Sequence, residues 1–282
     1  MSGFRIPGPV CQAVSLLDIN DGTLCCWKTP YAPPAGTCVG SPDAYMSLFR
    51  GQNDFFWGVD SFSSPTDKIG KLTRYEQVAK SAGQAPRFWG RYISGAGFTL
   101  KEAEYLWKNS CSILTIFNEP KNVAGSLKGK FKDGEKEANR AIKIAANLGV
   151  TPGVCIYADI ETEYQPTQEW IEGWAETMYD SHYSGGFYCN PQSSNFSDPF
   201  CKAYNNNDKV ASSYIYSSEP EKNAWKGPAS QAPTTFAPST MPCNPQTVVW
   251  QYAEAWNYVS TTKDPWGVDE DLATADAYFV MW

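Results

Sequence analysis

The most chemically informative stretch of the sequence is an apolar run, Val154 to Ala158, that leads directly into the carboxylates Asp159 and Glu161. Thr-Pro-Gly precedes the run and polar residues follow it, which is typical of a strand buried on both faces of a parallel sheet. Side chains two positions apart on a strand point to the same face, so both carboxyl groups are expected to leave the strand end together. Such a pair can supply a general acid and a second carboxylate that stabilises positive charge.

Other polar side chains follow the remaining apolar runs in the same way. They are Asp60, Arg91, Tyr188, Gln251 and the pair Asp269 and Asp271. The carboxyl ends of parallel barrel strands meet on one face, so acidic groups from several strands are expected to converge there. Crowding and loss of water raise the pKa of at least one carboxyl group and keep it protonated near neutral pH. We therefore predict that Glu161, whose longer side chain reaches into the cleft, protonates a glycosidic oxygen while a second carboxylate stabilises the transition state or activates water.

The elements that must position these residues are short strands alternating with amphipathic helices from residue 55 onward. Strands are predicted at 55–60, 87–93, 112–117, 154–158, 185–190, 210–216, 247–252 and 266–272, and helices at 71–82, from Thr99, 133–148 and 167–181. Residues 219–245 are Pro-rich and are predicted to form a rim loop over the strand ends. The predicted fold is α/β, a TIM-type (β/α)8 barrel over residues 51–282 that need not be regular.

Residues 1–50 differ from the rest because they are rich in Pro and Cys and show turn signals without a helical period. They are predicted to be an appendage, either a docking arm for a larger assembly or an arm that packs over the barrel. The cluster Cys11, Cys25, Cys26 and Cys38 could form disulfides in an oxidising compartment. Cys111 and Cys155 lie in apolar runs and are predicted to be buried.

Composition and missing motifs exclude several classes of function. A net charge of −7 without a dense basic cluster argues against a nucleic-acid partner, and no apolar run is long enough to span a membrane. The first residues lack the apolar segment of a signal peptide, so we expect action at the cell wall or outside the cell after non-classical delivery, or else a cytoplasmic protein. His182 is the single histidine and is predicted to be an exposed bystander, which argues against a serine–histidine hydrolase. No cofactor is expected, and an oxygen-rich magnesium or calcium site is the minor alternative for the same acids.

Six motifs in chain order resemble the glycoside-hydrolase-like family catalogued as domain of unknown function 1906, which is itself similar to the family 25 lysozymes. They are Phe-Trp-Gly-Val-Asp60, Gly-Arg-Tyr-Ile93, Ile-Tyr-Ala-Asp-Ile-Glu161, Gly-Gly-Phe-Tyr-Cys-Asn190, Val-Trp-Gln-Tyr252 and Val-Asp-Glu-Asp-Leu272. The resemblance implies a barrel with an acidic cleft that cleaves the β-1,4 bond between N-acetylmuramic acid and N-acetylglucosamine. It also implies that Glu161 is the acid, Asp159 its partner, and Asp60 and Asp271 the flanking carboxylates.

The predicted function is thus a lysozyme-like, peptidoglycan-directed glycoside hydrolase, delivered as an effector or cargo. The alternative is an inactive glycan-binding or structural module of a larger assembly. The predicted substrate-binding residues are Arg91, Tyr188, Gln251, Asp269, Trp250 and Tyr157. The late motif reads Asp-Glu-Asp-Leu where the family has Asp-Leu-Asn, which leaves open whether Asp269 or Asp271 lines the cleft. Inversion and retention of configuration also both remain open.

Overall fold

The fold is a closed eight-stranded barrel surrounded by helices, seen in a computed structural model that describes residues 55–95, 97–118, 129–222, 229, 232–254 and 267–282. The predicted appendage at residues 1–50 lies outside the described residues. The barrel strands are β1 (Phe55–Ser61), β4 (Phe88–Tyr92), β5 (Ser112–Phe117), β6 (Cys155–Ile160), β7 (Ser184–Cys189), β8 (Tyr214–Lys222), β9 (Thr247–Glu254) and β10 (Asp269–Thr274). A small hairpin, β2 (Lys68–Ile69) and β3 (Leu72–Thr73), stands apart from it. The predicted α/β barrel is confirmed.

The last strand, β10, makes the barrel irregular. Around the barrel the order is β1-β10-β9-β8-β7-β6-β5-β4, and β10 is antiparallel to both of its neighbours while the other barrel neighbours are parallel. Its register pairs Asp269 with Asp60 and Asp271 with Gly58. The beginning of β10 therefore lies at the same end of the barrel as the carboxyl ends of the parallel strands, which we call the mouth.

The described helices are α1 (Arg74–Ala82), α2 (Leu100–Lys108), α3 (Phe131–Leu148), α4 (Gln168–Tyr179), α5 (Ser194–Tyr204), α6 (Asp208–Ala211) and α7 (Ala275–Phe279). The predicted capping box of Thr99 and Glu102 begins α2, and Gly149 ends α3 in the left-handed conformation. The helix predicted at 71–82 begins only at residue 74, because the preceding residues form the hairpin. No helix in the described part of the chain is long and apolar enough to cross a membrane.

The strand predicted at 210–216 is wrong at its start. Val210 is buried within the short helix α6, which Asn207 caps through its side chain, and β8 begins four residues later. A single apolar residue does not distinguish a helical turn from a strand. At its other end β8 continues to Lys222, so the first residues of the predicted rim loop, 219–245, belong to the barrel wall.

Alternating side chains fill the inside of the barrel and cover its outside. On β6, Tyr157 and Asp159 point inward, whereas Ile156 and Ala158 pack against the helices. Below them the interior is apolar and aromatic, and α7 closes the end opposite the mouth with Tyr278. The barrel therefore opens at one end, where its polar interior side chains lie.

The five cysteines in the described part of the chain have two kinds of environment. Cys111 and Cys155 are buried, as predicted, and so is Cys189. Cys201 of α5 and Cys243 form a disulfide that spans 42 residues of sequence. The disulfide ties the chain before β9 to the helical layer, a link that the sequence analysis did not identify.

Glu270 is a buried carboxyl group on the outer face of β10, and it is expected to make the protein less stable as the pH rises. Burial raises its pKa to about 7 from the ordinary value of 4.5, against the opposing effect of hydrogen bonds with Tyr252 and Trp57. The folded state therefore holds this proton more tightly than the unfolded chain. The resulting stabilisation is complete below pH 4.5 and is lost as the pH rises to about 7.

We expect Glu270→Gln to remove this contribution to the pH dependence and to be more stable than the unmodified protein at pH 8, by up to about 3 kcal/mol. Urea unfolding at pH 5 and at pH 8 measures the difference. Glu104→Gln, at an exposed position of α2, is the matched control and should change neither value. If the Glu270→Gln protein lost as much stability between pH 5 and pH 8 as the unmodified protein, the assignment of this effect to Glu270 would be contradicted.

Candidate active site

Five inward side chains meet at the mouth, and Gln251 of β9 connects three of them. Its Nε2 donates to Asp60 Oδ2 at 2.8 Å and to Asp269 Oδ2 at 3.3 Å. Its Oε1 accepts from the Tyr188 hydroxyl at 3.1 Å. Asp159 of β6 lies close enough for its charge to act on Tyr188. The structure thus brings together the predicted residues from β1, β6, β7, β9 and β10.

A second carboxylate pair lies one layer deeper, where Asp60 and Asp271 share the hydroxyl of Tyr216. The hydroxyl oxygen is 2.8 Å from Asp60 Oδ2 and 2.7 Å from Asp271 Oδ1, and Asp271 and Tyr216 are fully buried. One hydroxyl donates a single proton, so both contacts are satisfied if Asp271 is protonated and donates to Tyr216, which in turn donates to Asp60. The pKa of Asp271 is raised well above its usual range by burial and by the charge of Asp60. Burial also raises the pKa of Asp60, but hydrogen bonds with Tyr216 and Gln251 oppose the rise, so we expect Asp60 to be the charged member of the pair.

Two glycines make room for these side chains. A Cβ atom at Gly90 of β4 would lie 2.4 Å from Cβ of Asp60, and one at Gly186 of β7 would lie 2.5 Å from the ring of Tyr157. Real Cβ atoms do not approach so closely. The glycines of two predicted motifs therefore allow a carboxylate and a large ring to occupy the interior beside the neighbouring strands.

Asp159 and Glu161 form a coupled pair between the buried interior and the rim. Asp159 is buried, and Glu161 follows directly after β6 at the exposed rim. Burial raises the pKa of Asp159 well above its usual range, and the charge of Glu161 adds to the rise. The pKa of Glu161 is also raised, because the crowded mouth removes water from its carboxyl group even though the residue is exposed. The two side chains hydrogen-bond to each other, so we expect them to share a proton that they retain to higher pH than isolated carboxyl groups do.

One buried oxygen of Asp159 is left without a partner. Oδ1 of Asp159 is buried and has no hydrogen-bond partner among the described residues. Buried carboxyl oxygens without partners are costly. This oxygen is therefore available either to carry the shared proton or to contact a bound ligand.

Tyr92, which the sequence analysis missed, lies at the centre of the acidic cluster. Burial raises the pKa of its hydroxyl well above the usual range, and the charges of Asp60, Asp159 and Asp269 raise it further. The signal was present in the alternation of β4, because an inward Gly90 places residue 92 inward as well. Tyr92 remains a neutral hydroxyl that can donate to a carboxylate or a sugar.

The structure corrects two predicted substrate contacts, Arg91 and Trp250, which point out of the barrel. Arg91 is buried and donates to Glu102 Oε1 from Nη2 at 3.0 Å and from Nε at 3.3 Å. Trp250 packs edge-on against Phe236 on the outer face of β9. Each is adjacent in sequence to an inward residue and therefore faces the opposite side of its strand.

The other residues singled out in the sequence lie at different depths of the barrel or outside it. Tyr157 is inward but lies below the mouth, in an edge-on contact with Tyr216. Asp269 is half-buried and lines the mouth, whereas Asp271 lies beneath it. His182 is exposed, as predicted. Among the described residues, no group of three or more His, Cys, Asp or Glu has an arrangement that could hold a metal ion.

The barrel and its acidic mouth define a glycoside hydrolase-like domain. In agreement, the family model of the Rv2525c-like, glycoside hydrolase-like domain matches residues 80–273, and the chain belongs to this family. No match was found among curated proteins.

Two solved structures share the fold. An uncharacterized protein from B. stearothermophilus has a TM-score of 0.69 and 27% sequence identity, over 80% of this chain and 100% of the other. The Tat-secreted protein Rv2525c of Mycobacterium tuberculosis has a TM-score of 0.50 and 18% identity, over 80% of this chain and 98% of the other. The match covers nearly all of both solved chains, so the barrel corresponds to a complete domain in each.

Proposed function

We propose that this chain is a peptidoglycan-directed glycoside hydrolase that cleaves the β-1,4 bond between N-acetylmuramic acid and N-acetylglucosamine. The observation that carries the proposal is the placement of Asp159, buried at the end of β6, and Glu161, exposed at the rim beside it, with the pKa of both groups raised. Acid-catalysed cleavage of a glycosidic bond needs a carboxyl group that is protonated near neutral pH and a carboxylate beside it. Membership in the glycoside hydrolase-like family supports the same chemistry.

In this mechanism Glu161 donates the proton, because it is the exposed member of the pair and can reach a glycan above the mouth. The proton passes to the glycosidic oxygen as its bond to the anomeric carbon breaks, and the leaving sugar departs as an alcohol. Positive charge then develops on the remaining sugar ring. Asp159, which has given up its share of the proton, and Asp60 stabilise this charge in a site from which most water is excluded. Addition of water at the anomeric carbon, with loss of one water proton to the Asp159–Glu161 pair, completes hydrolysis and restores the acid.

The polar groups around the acids fit a neutral sugar. Tyr92 and Tyr188 offer hydroxyl groups, and Gln251 and Asp269 offer an amide and a carboxylate at the mouth. Sugar hydroxyls and acetamido groups both donate and accept hydrogen bonds, as these side chains do. We propose that these four residues bind the glycan next to the bond that is cleaved.

The disulfide of Cys201 and Cys243 supports a site of action outside the reducing cytoplasm. The related Rv2525c is described as Tat-secreted, which is in keeping with that location. We propose that the protein acts at the cell wall as a delivered enzyme, with residues 1–50 as its docking arm. Proteolytic removal of that segment should leave cleavage of isolated peptidoglycan intact and abolish delivery.

The test is digestion of purified peptidoglycan followed by mass spectrometry of the released muropeptides, with Glu161→Gln as the matched inactive protein. The expected result is fragments with new reducing-end N-acetylmuramic acid from the intact protein alone. Fragments with other new ends would assign a different bond. If both proteins sediment with peptidoglycan and neither cleaves it, the proposed hydrolase activity is overturned in favour of a glycan-binding module.

A further inference from the structure

Phe62 is a large apolar side chain that stands in solvent beside the acidic mouth. It follows β1 directly, two residues after Asp60, and 63% of its surface is exposed. In the described part of the chain the other large exposed apolar side chains are Leu100 and Tyr179. Tyr179 lies at the opposite end of the barrel, near the beginnings of β7 and β8. Phe62 is thus the exposed ring that borders the catalytic cluster.

The backbone that carries Phe62 is held firmly. Nη1 of Arg91 donates to the carbonyl oxygen of Phe62 at 2.6 Å and to that of Ser61 at 3.1 Å. Arg91 is itself fixed by its buried ion pair with Glu102 and lies over the ring of Phe98, 5.5 Å from its centroid. Hydrogen bonds inside a water-excluded site are strong and directional. The exposed ring therefore projects from a rigid support.

The ring of Phe62 is also continuous with the acid cluster. Its centroid lies 5.9 Å from that of Tyr92, and the two rings are tilted by 50°. The hydroxyl of Tyr92 is influenced by the charges of Asp60, Asp159 and Glu161. Aromatic rings present broad apolar faces, which suit the C–H faces of a pyranose, while the neighbouring carboxylates bind its hydroxyl groups. The arrangement has an apolar platform on one side and proton-transfer groups on the other.

We propose that Phe62, supported by Tyr92, is a sugar-stacking platform that binds the glycan unit next to the cleaved bond. This inference rests on the proposed function, because it names the side of the same site that grips the substrate. Arg91 contributes indirectly by fixing the carbonyl groups of Ser61 and Phe62. The platform sets affinity for the glycan, while the carboxyl groups perform the bond cleavage.

The test is binding of insoluble peptidoglycan by the Glu161→Gln protein, with and without a second substitution at position 62. Phe62→Ala is expected to weaken binding about tenfold, whereas Phe62→Trp retains it because the ring face is preserved. In the otherwise unmodified enzyme, Phe62→Ala should raise KM about tenfold with little change in kcat. Tyr179→Ala removes an equally exposed ring at the far end of the barrel and should alter neither quantity.

The outcomes separate this inference from the proposed function. Cleavage with unchanged affinity in Phe62→Ala overturns the platform and leaves the hydrolase standing. Full binding of peptidoglycan by Phe62→Leu as well as by Phe62→Trp also overturns the platform, since a branched aliphatic side chain has no ring face. Absence of both cleavage and binding in the unmodified protein would reject the glycan substrate and the platform together.

Discussion

Replacing Glu161 by Gln is expected to lower the rate of glycan cleavage at least about 100-fold, because the amide cannot donate the proton that the leaving group requires. The substitution keeps the size and the exposed position of the side chain, so folding should be unaffected. Glu163→Gln is the matched control, since it is an exposed residue of the same loop whose charge acts on the Asp159–Glu161 pair without contributing a proton. Its activity should stay within a few-fold of the unmodified protein.

The same pair predicts the dependence of activity on pH. The pKa values of Asp159 and Glu161 are both raised, so the pair retains its proton to higher pH than isolated carboxyl groups do. Activity should therefore fall as the pH rises through the upper pKa of the pair, and the fall should be absent from the residual activity of Glu161→Gln. An unchanged rate in Glu161→Gln, or an equal loss in Glu163→Gln, would reject Glu161 as the acid.

The second large effect is expected from a comparison of Asp60 and Asp271, which share Tyr216 but differ in charge. Asp60→Asn should reduce cleavage about 100-fold, because it removes the negative charge that faces the developing positive charge of the sugar. Asp271→Asn replaces a carboxyl group whose raised pKa leads us to expect the neutral form, so activity should remain within about tenfold. The pKa of Asp271 is raised in the folded state, so this residue makes the unmodified protein lose stability as the pH rises above the usual range of Asp, and the Asn variant should lose less.

Rates of muropeptide release and urea unfolding at pH 5 and pH 8 test this comparison. Equal inactivation of the folded Asp60→Asn and Asp271→Asn proteins would contradict the prediction. It would mean that Asp271 is charged or acts directly on the substrate. Circular dichroism of each variant shows whether a low rate reflects chemistry or loss of the fold.

The polar residues at the strand ends could be expected to lie near one another because their placement depends on topology more than on the type of each residue. Asp60, Asp159, Tyr188 and Gln251 follow apolar runs, and parallel strands bring the ends of such runs to one face. Asp269 reached the same place for another reason, since it begins an antiparallel strand. The short apolar run of β10 carries no sign of its direction, so the reversal could not be predicted from sequence.

Residues that were predicted at the site but lie elsewhere, and residues that were not predicted, show the limit of choosing side chains by their chemistry. Arg91 and Trp250 looked suitable for binding sugars, yet each faces outward because the inward position is taken by its neighbour, Tyr92 or Gln251. Tyr216 lies in a strand buried on both faces, where an unbroken apolar pattern conceals which side points inward. The disulfide between Cys201 and Cys243 depends on how the barrel closes, and spacing in the sequence does not reveal it.

The reversed direction of β10 also decides at which end of the barrel the chain leaves β9 and enters β10. Since β9 and β10 are antiparallel, the chain leaves the barrel after Glu254 and returns at Gly267 on the same face, beside the acids. A parallel last strand would have required that connection to travel to the far end of the barrel. Substitutions at Glu254 or Gly267 are therefore expected to act on the end of the barrel that holds the acids and to leave the opposite end, which Tyr278 closes, unchanged.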